Sequence, residues 1–193
     1  KTPLFSKFCE IWFTDKEIEW RTSYKEKIQI VIKKYLIPFF GAIPVINIKK
    51  SDILGFRSSL AKVTHGKNQE CLSPSRINQI MIVLRMILDS AAERYDFDSP
   101  YKNIKNLKQG KIEVTPFSLE EVHKILSTVR DDFKPYYTIR FFTGMRTSEI
   151  DGLQWENIDL QRREIHIREA LVNGVLGGTK TYGSDRTIQM SDR

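Results

Sequence analysis

Apolar residues recur at helical spacing through the first half of the chain. The first stripe consists of Phe5, Phe8, Cys9 and Trp12. These residues fall at positions i, i+3, i+4 and i+7, which predicts an amphipathic helix over residues 3–17. Stripes of the same kind begin at Tyr24, at Ile53 and at Ile77. The pattern therefore predicts a small helical bundle, with the broad stripe of the fourth helix at its centre.

Start and stop residues set the expected helix ends. Pro38 disfavours helical geometry in the residue before it, so the second helix is predicted to end near Ile37. Ser51 or Asp52 is expected to cap the third helix. Ser73 is expected to cap the fourth helix, because a proline follows it in the first turn.

The helical periodicity fades at two places. Residues 64–71 are polar and predict a loop, and the periodicity weakens again from Asp96 onward. Residues 110–116, which end this weak stretch, are interpreted as an interdomain linker. The predicted domains are residues 1–109 and 117–193.

The second half changes from helical to strand periodicity. The S-x-x-E pattern from Ser118 to Glu121 predicts a capping box, and residues 131–142 predict another helix. Residues 164–168 and 185–190 alternate between apolar and polar side chains, as half-buried strands do. The Asn173-Gly174 pair between them predicts a hairpin turn. The expected fold class is thus mainly α with a small antiparallel sheet of about three strands.

Positive charge is concentrated in the first part of the chain. Residues 1–110 hold 19 lysines and arginines against 11 acidic residues, a net charge of +8, whereas residues 111–193 hold 12 against 13, a net charge of −1. Such a division favours a first domain that binds a polyanion and a second with a more local task. Solubility alone is the other explanation for the charge.

Six basic positions in the first domain are candidates for contact with DNA. They lie between or beside the apolar stripes, or in the polar loop, and each is either a phosphate contact or part of a solvated surface. The six are Lys25, Lys33, Lys34, Lys67, Arg76 and Arg85.

Several classes of protein are disfavoured by the composition. Hydrophobic residues make up 40% of the chain and charged residues 28%, as in a soluble globular protein, and no stretch approaches the roughly 20 apolar residues that span a bilayer. The histidines and the two cysteines, Cys9 and Cys71, have no zinc spacing. Both cysteines are interpreted as reduced intracellular thiols, although a disulfide between them is not excluded. Neither a P-loop nor a nucleophile elbow is present.

The stretch FFTGMRTSEIDGLQWENIDL, residues 141–160, is the strongest chemical signal. Gly144 permits a sharp turn, and Arg146 then stands at the expected start of a helix. A guanidinium there suits a phosphate or a carboxylate. Alternatively, Arg146 is an ordinary salt-bridge partner of Glu149, three residues on.

A second signal follows in the predicted hairpin. Lys180 lies in the segment GTKTYGSDRTI, residues 178–188. A lysine whose pKa is lowered by its surroundings can donate a proton to a departing oxygen. The alternative is an exposed hairpin lysine.

Both segments resemble motifs of one family. TGMRTSEI at residues 143–150, followed by Gly152, Leu153 and Trp155, closely resembles the first active-site box of the tyrosine recombinase (phage integrase) family. The lysine segment is similar to that family's T-K-T-x-x-S-x-R pattern. The resemblance implies a SAM-like core-binding domain followed by part of an α+β catalytic domain.

The resemblance also implies a mechanism. Members of the family clamp double-stranded DNA between the two domains, and a tyrosine attacks the scissile phosphate to form a 3′-phosphotyrosine link without ATP or metal. Arg146 would stabilise charge on the non-bridging oxygens, Glu149 would orient Arg146, and Lys180 would protonate the leaving 5′ oxygen. The family further implies a tetramer on DNA and a bacterial or phage-encoded cytoplasmic protein, with no cofactor.

The chain departs from the family pattern in two respects. No H-x-x-R box occurs in it, and Tyr182 is a poor candidate for the nucleophile because it lies in a predicted turn beside Lys180. The chain is therefore interpreted as the first two-thirds of a recombinase, which binds DNA without cleaving it and whose nucleophile lies beyond Arg193. The alternatives are an architectural DNA-binding protein and a helical module that binds other proteins.

Overall fold

The structure is a computed structural model that describes residues 2–65, 70–110, 113–178 and 184–191. The chain divides into two compact units, Lys1–Ile112 and Glu113–Arg193. The division falls within residues 110–116.

The first unit is helical. Its helices are α1 (Phe5–Lys16), α2 (Thr22–Val31), α3 (Ile37–Phe40), α4 (Lys50–Leu60) and α5 (Pro74–Tyr95). Short 3-10 turns lie at Glu17–Glu19 and Val45–Asn47. Two-residue strands β1 (Thr64–His65) and β2 (Glu70–Cys71) pair in antiparallel fashion, so residues 64–71 include a short ladder where only a loop was expected.

The predicted apolar stripes form the core of this unit. Phe5, Phe8 and Trp12 of α1 are almost completely buried, and ten residues of α5 are buried along its 22-residue length. The central position expected for the fourth helix is confirmed by this burial. Both cysteines are free thiols, with Cys9 inside this core and Cys71 exposed.

One buried amide fixes the chain after α5. Asn78 is 5% exposed, and its side chain donates to the Leu107 carbonyl and accepts from the Leu107 N–H, both at 2.9 Å. The amide therefore satisfies both backbone groups of one residue, as a neighbouring strand would. This pair of bonds holds the segment around Leu107 against α5.

The prediction that a helix ends near Ile37 is wrong. Residues Ile32–Leu36 form a turn of π-helix, in which the Ile37 N–H bonds to the Ile32 carbonyl, and α3 then continues through Pro38. Since proline clashes with the carbonyl four residues earlier in an α-helix, the wider turn before Pro38 makes room for its ring. The helix resumes its ordinary bonding at Gly41, whose N–H bonds to the Ile37 carbonyl at 2.9 Å.

Of the two predicted helix caps in this unit, one is correct. Ser73 caps α5, and its hydroxyl accepts from the Arg76 N–H at 3.2 Å. The cap expected for the third helix is misplaced, because α4 begins earlier, after Lys49. Asp52 instead accepts the Lys49 N–H at 2.9 Å from within the first turn.

The second unit is a mixed α/β unit. Its helices are α6 (Leu119–Thr128), α7 (Lys134–Thr143) and α8 (Thr147–Asp151), and its strands are β3 (Ile158–Asp159), β4 (Glu164–Ile167), β5 (Glu169–Val172), β6 (Val175–Gly178) and β7 (Arg186–Gln189). A 3-10 turn, Asp131–Phe133, precedes α7 where one continuous helix was expected, and another lies at Trp155–Asn157. The predicted capping box is present, since Ser118 and Glu121 exchange bonds of 2.8 and 3.2 Å.

The strands form two antiparallel sheets. The first has the order β3-β4-β7, and the second pairs β5 with β6. Asn173 and Gly174 both have positive φ, 52° and 76°, which confirms the predicted hairpin turn between β5 and β6. A small core of Met145, Ile150, Ile165 and Ile167 joins α8 and its preceding turn to β4.

The predicted fold class, mainly α with small antiparallel sheets, is confirmed. Across the described ranges, no helix combines the length and the apolar content that crossing a membrane requires.

Candidate functional site

The corner between α7 and α8 places Arg146 at its outer edge. Gly144 ends α7 in the left-handed conformation, with φ 65° and ψ 19°, and its N–H bonds to the Arg140 carbonyl at 3.2 Å. Glycine adopts this geometry without the strain of a side chain. Met145 then turns into the core, so that the next residue, Arg146, is directed outward.

Arg146 occupies the N-cap position of α8 and is bonded to Glu149. The Glu149 carboxylate accepts the Arg146 backbone N–H at 2.9 Å and its Nη1 at 2.7 Å. A guanidinium has no acceptor with which to return the capping bond. The helix start expected at Arg146 is confirmed. Because α8 has only five residues, its dipole adds little to the attraction of an anion at this end.

The salt bridge that was the ordinary interpretation of Arg146 is therefore present. However, the Arg146 side chain remains 65% exposed, whereas the Glu149 side chain is only 3% exposed. The carboxylate is thus the buried partner and the guanidinium reaches solvent. The ion pair fixes the arginine without removing it from the surface.

A second arginine, which sequence reasoning did not select, completes the cluster. Arg186 donates Nη1 to Glu149 Oε1 at 3.0 Å and Nη2 to Glu149 Oε2 at 2.8 Å, a bidentate pair. The available signal was its position as the final arginine of the T-K-T-x-x-S-x-R pattern. The structure brings together Arg146, Glu149 and Arg186, which we call the arginine–glutamate cluster.

The charges in this cluster are strongly coupled. Hydrogen bonds from Arg186, then from the Arg146 backbone and side chain, lower the pKa of Glu149 to about 2, against the opposing effect of burial. Glu149 in turn raises the pKa of Arg186. Glu149 is therefore ionised at neutral pH, and the three side chains together carry one net positive charge.

The sheets fix where Arg186 enters the site. Ile167 pairs with Arg186 in one ladder, and Glu169 pairs with Gly178 in the other. Arg168 lies between these two pairs. Lys180, the predicted proton donor, belongs to this segment and lies outside the described residues. It is six positions before Arg186 in the chain.

Two of the six candidate DNA contacts lie around one aromatic ring in the first unit. Lys34 Nζ is 5.3 Å from the centroid of the Tyr35 ring, and Arg76 Cζ is 6.0 Å from it. The Arg76 guanidinium bonds to the neutral amide of Gln79 at 3.2 Å, which leaves its charge uncompensated by that contact. We call Lys34, Tyr35 and Arg76 the Tyr35 patch.

The other candidates are not gathered there. Arg85 bonds to Asp89 at 3.2 Å, and Lys25 is 3.9 Å from Glu17, so both contact carboxylates. Lys33 is exposed on the π-turn, and Lys67 lies outside the described residues. Because Arg85 follows Arg76 by nine residues at about 100° each, the two lie on opposite sides of α5.

The described residues offer little to a metal ion. In the four described ranges, no three side chains of histidine, cysteine, aspartate or glutamate are grouped as ligands. His166 instead lies 3.0 Å from the Thr187 hydroxyl across the β4–β7 ladder.

Comparison with known sequences finds integrases that are similar to this chain. Residues 4–61 match a family model described as phage integrase, N-terminal SAM-like domain. Over 197 aligned residues the chain is 24% identical to the prophage integrase IntR of Escherichia coli K12, covering 96% of this chain and 47% of that protein. It is 28% identical to the ICEBs1 integrase of Bacillus subtilis 168, in an alignment that covers 98% of this chain and 52% of that protein. The chain thus spans about half the length of these relatives.

Comparison with solved structures supports the same fold. A Tn1549 transposon integrase in complex with a circular intermediate DNA matches with a TM-score of 0.72 at 18% identity, covering 96% of this chain and 61% of that one. The same integrase with transposon right end DNA matches with a TM-score of 0.71 at 20% identity. The family model covers residues 4–61, and along nearly its whole length the chain is similar in sequence to these integrases and in fold to the Tn1549 integrase.

Proposed function

We propose that this chain is the core-binding domain and the first part of the catalytic domain of a site-specific DNA recombinase. The observation that supports this most is the state of Arg146, which is fixed by a buried, ionised Glu149 and yet exposes its guanidinium. A cation held in advance in one orientation suits charge that develops on a phosphate during strand transfer. The relatives named as integrases point to the same chemistry.

The proposed reaction uses residues of this chain for charge and proton transfer. A tyrosine oxygen attacks the scissile phosphorus, the bond to the 5′ oxygen breaks, and a 3′-phosphotyrosine link forms. Arg146 stabilises the non-bridging oxygens, Glu149 orients Arg146, and Lys180 gives its proton to the departing 5′ oxygen. The nucleophile is a tyrosine outside these 193 residues.

The partner is double-stranded DNA, bound first by its backbone. The excess of positive charge in residues 1–110 supplies the attraction. Within it we assign backbone contacts to Lys34 and Arg76 of the Tyr35 patch, because their described contacts are to an aromatic ring and an amide. Lys25 and Arg85 are already close to carboxylates. The longer protein is proposed to act as a tetramer on its site.

A salt series on this chain tests the DNA-binding part of the proposal. Binding to a duplex is measured by fluorescence anisotropy at several salt concentrations. Each phosphate contact is expected to add roughly 0.9 to the slope of log K against log salt. A slope near zero would contradict DNA binding and favour a module that binds other proteins.

A nicked, suicide-type duplex tests the assignment of the nucleophile. The chain contains no H-x-x-R box, and we expect it to bind this duplex without forming a covalent protein–DNA product on a denaturing gel. A covalent product would show that one of its own tyrosines is the nucleophile. The control is a reading frame extended until it contains H-x-x-R and a later tyrosine, which is expected to form the product.

A further inference from the structure

We propose that Arg186 is a positioning residue for Arg146, which acts by holding the Glu149 carboxylate so that the Arg146 guanidinium keeps donors available for a phosphate. The inference rests on the proposed function, since it concerns the same phosphate site. Arg186 touches Glu149 and not the reacting atoms.

Each oxygen of the Glu149 carboxylate is bonded to both arginines. Oxygen Oε1 accepts from Arg146 Nη1 and from Arg186 Nη1, at 2.7 and 3.0 Å. Oxygen Oε2 accepts from the Arg146 backbone N–H and from Arg186 Nη2, at 2.9 and 2.8 Å. Each oxygen therefore divides its acceptor capacity between the two arginines. The Arg146 guanidinium is limited to a single bond with the carboxylate.

Removal of Arg186 would free one acceptor position on each oxygen. Arginine and carboxylate groups prefer to close into a bidentate pair when both oxygens are accessible. The Arg146 fork would then turn onto Glu149, and two of its donors would be occupied there. An incoming phosphate would have to compete with that closed pair.

Arg186 also determines the net charge of the arginine–glutamate cluster. Arg146, Glu149 and Arg186 together carry a charge of +1, but Arg146 and Glu149 alone carry none. The carboxylate is buried and ionised, so it does not lose its charge by taking up a proton near neutral pH. Arg186 therefore supplies the charge that keeps this site attractive to an anion.

Two substitutions separate the charge of Arg186 from its hydrogen-bonding geometry. Arg186→Ala removes the positive charge and the planar fork of donors, whereas Arg186→Lys keeps the charge and loses the fork. Arg162→Ala is the matched control, because the Arg162 side chain is 79% exposed and is 3.9 Å from Asp159 rather than Glu149. Circular dichroism and thermal melting establish that each variant is folded.

The probe is inorganic phosphate, titrated into the 193-residue chain with arginine side-chain NMR as the readout. The Nε–H signal of Arg146 is assigned by its loss in Arg146→Lys. We expect Arg186→Ala to weaken phosphate binding at Arg146 about fivefold, Arg186→Lys to give an intermediate loss and Arg162→Ala to give none. Equal affinity in wild type and Arg186→Ala would overturn the proposal, as would the absence of any phosphate response at Arg146 in wild type.

A double-mutant cycle tests whether Arg186 acts through Glu149. In a Glu149→Gln background there is no carboxylate onto which Arg146 can close, so the loss caused by changing Arg186 is expected to shrink by half or more. An equal loss in both backgrounds would mean that Arg186 acts by its charge alone and not through Glu149, and would overturn the positioning role. If Arg186→Ala does not fold, Arg186→Lys replaces it in the same cycle.

This experiment is independent of DNA binding. If DNA affinity does not depend on salt but the double-mutant cycle shows coupling between Arg186 and Glu149 in phosphate binding, the proposed function is contradicted and the positioning role stays intact. Steep salt dependence with no coupling in the cycle would contradict the positioning role alone.

Discussion

Arg186 and Glu149 are 37 positions apart in the chain and share two parallel hydrogen bonds, of 3.0 and 2.8 Å. The pair joins β7 to the first turn of α8, with the carboxylate buried between the two elements. It is therefore a contact that contributes to stability as well as to the proposed chemistry, and its charge makes that contribution depend on pH.

The first prediction concerns the stability of the fold at acid pH. The folded-state pKa of Glu149, about 2, lies below its ordinary value of 4.5. The stabilisation is therefore complete above pH 4.5, declines as the pH falls towards 2 and is absent below that. The difference corresponds to about 3 kcal/mol of unfolding free energy, measurable by urea unfolding at pH 2 to 6. Glu149→Gln should lose this component, and an unchanged pH dependence in that variant would contradict the assignment.

The second prediction separates the two sides of α5. Arg76→Ala is expected to lower the affinity for duplex DNA and to reduce the salt slope by about 1, because one phosphate contact is lost. Arg85→Ala is the matched control, being the same substitution on the same helix, and should leave the slope unchanged. A larger effect at Arg85 would place the DNA on the opposite side of α5.

The third prediction concerns the contact between α8 and β5. A Cβ atom on Gly152 would lie 2.7 Å from the Leu171 nitrogen and 3.0 Å from the Ala170 carbonyl carbon, which are backbone atoms. Gly152→Ala is therefore expected to destabilise the second unit by about 1–3 kcal/mol in thermal or urea unfolding. Gly177→Ala, which has open space around the new methyl group, is the control and should be close to wild type.

The fourth prediction concerns the segment held by Asn78. Asn78→Ala leaves the N–H and the carbonyl of Leu107 without their partner, at a cost of about 2–3 kcal/mol. Hydrogen exchange of the Leu107 amide should accelerate together with this loss. Asn106→Ala, an exposed position in the same segment, should change stability by less than about 0.5 kcal/mol.

Features determined by neighbouring residues were predictable from the sequence. The Ser118 capping box, the Ser73 cap and the Asn173-Gly174 turn each depend on a few adjacent residues, and the structure has all three. The turn at Gly144 that presents Arg146 belongs to the same group. Local backbone preference is sufficient to specify such features.

Features that depend on distant contacts were not predictable in the same way. The bidentate bond of Arg186 requires β7 to pair with β4 in one register, which no local pattern specifies. Pro38 was expected to end a helix because the alternative, a π-turn that lets the helix continue past the proline, has no sequence signature of its own. The catalytic role of Lys180 and the DNA contacts remain predictions.

The two ladders that flank Arg168 have a consequence for the contact between Arg186 and Glu149. Glu169 pairs with Gly178 in one ladder and Ile167 pairs with Arg186 in the other, so Arg168 separates the two registers. A one-residue slip of β7 against β4 would turn the Arg186 side chain to the opposite face of the sheet and break its contact with Glu149.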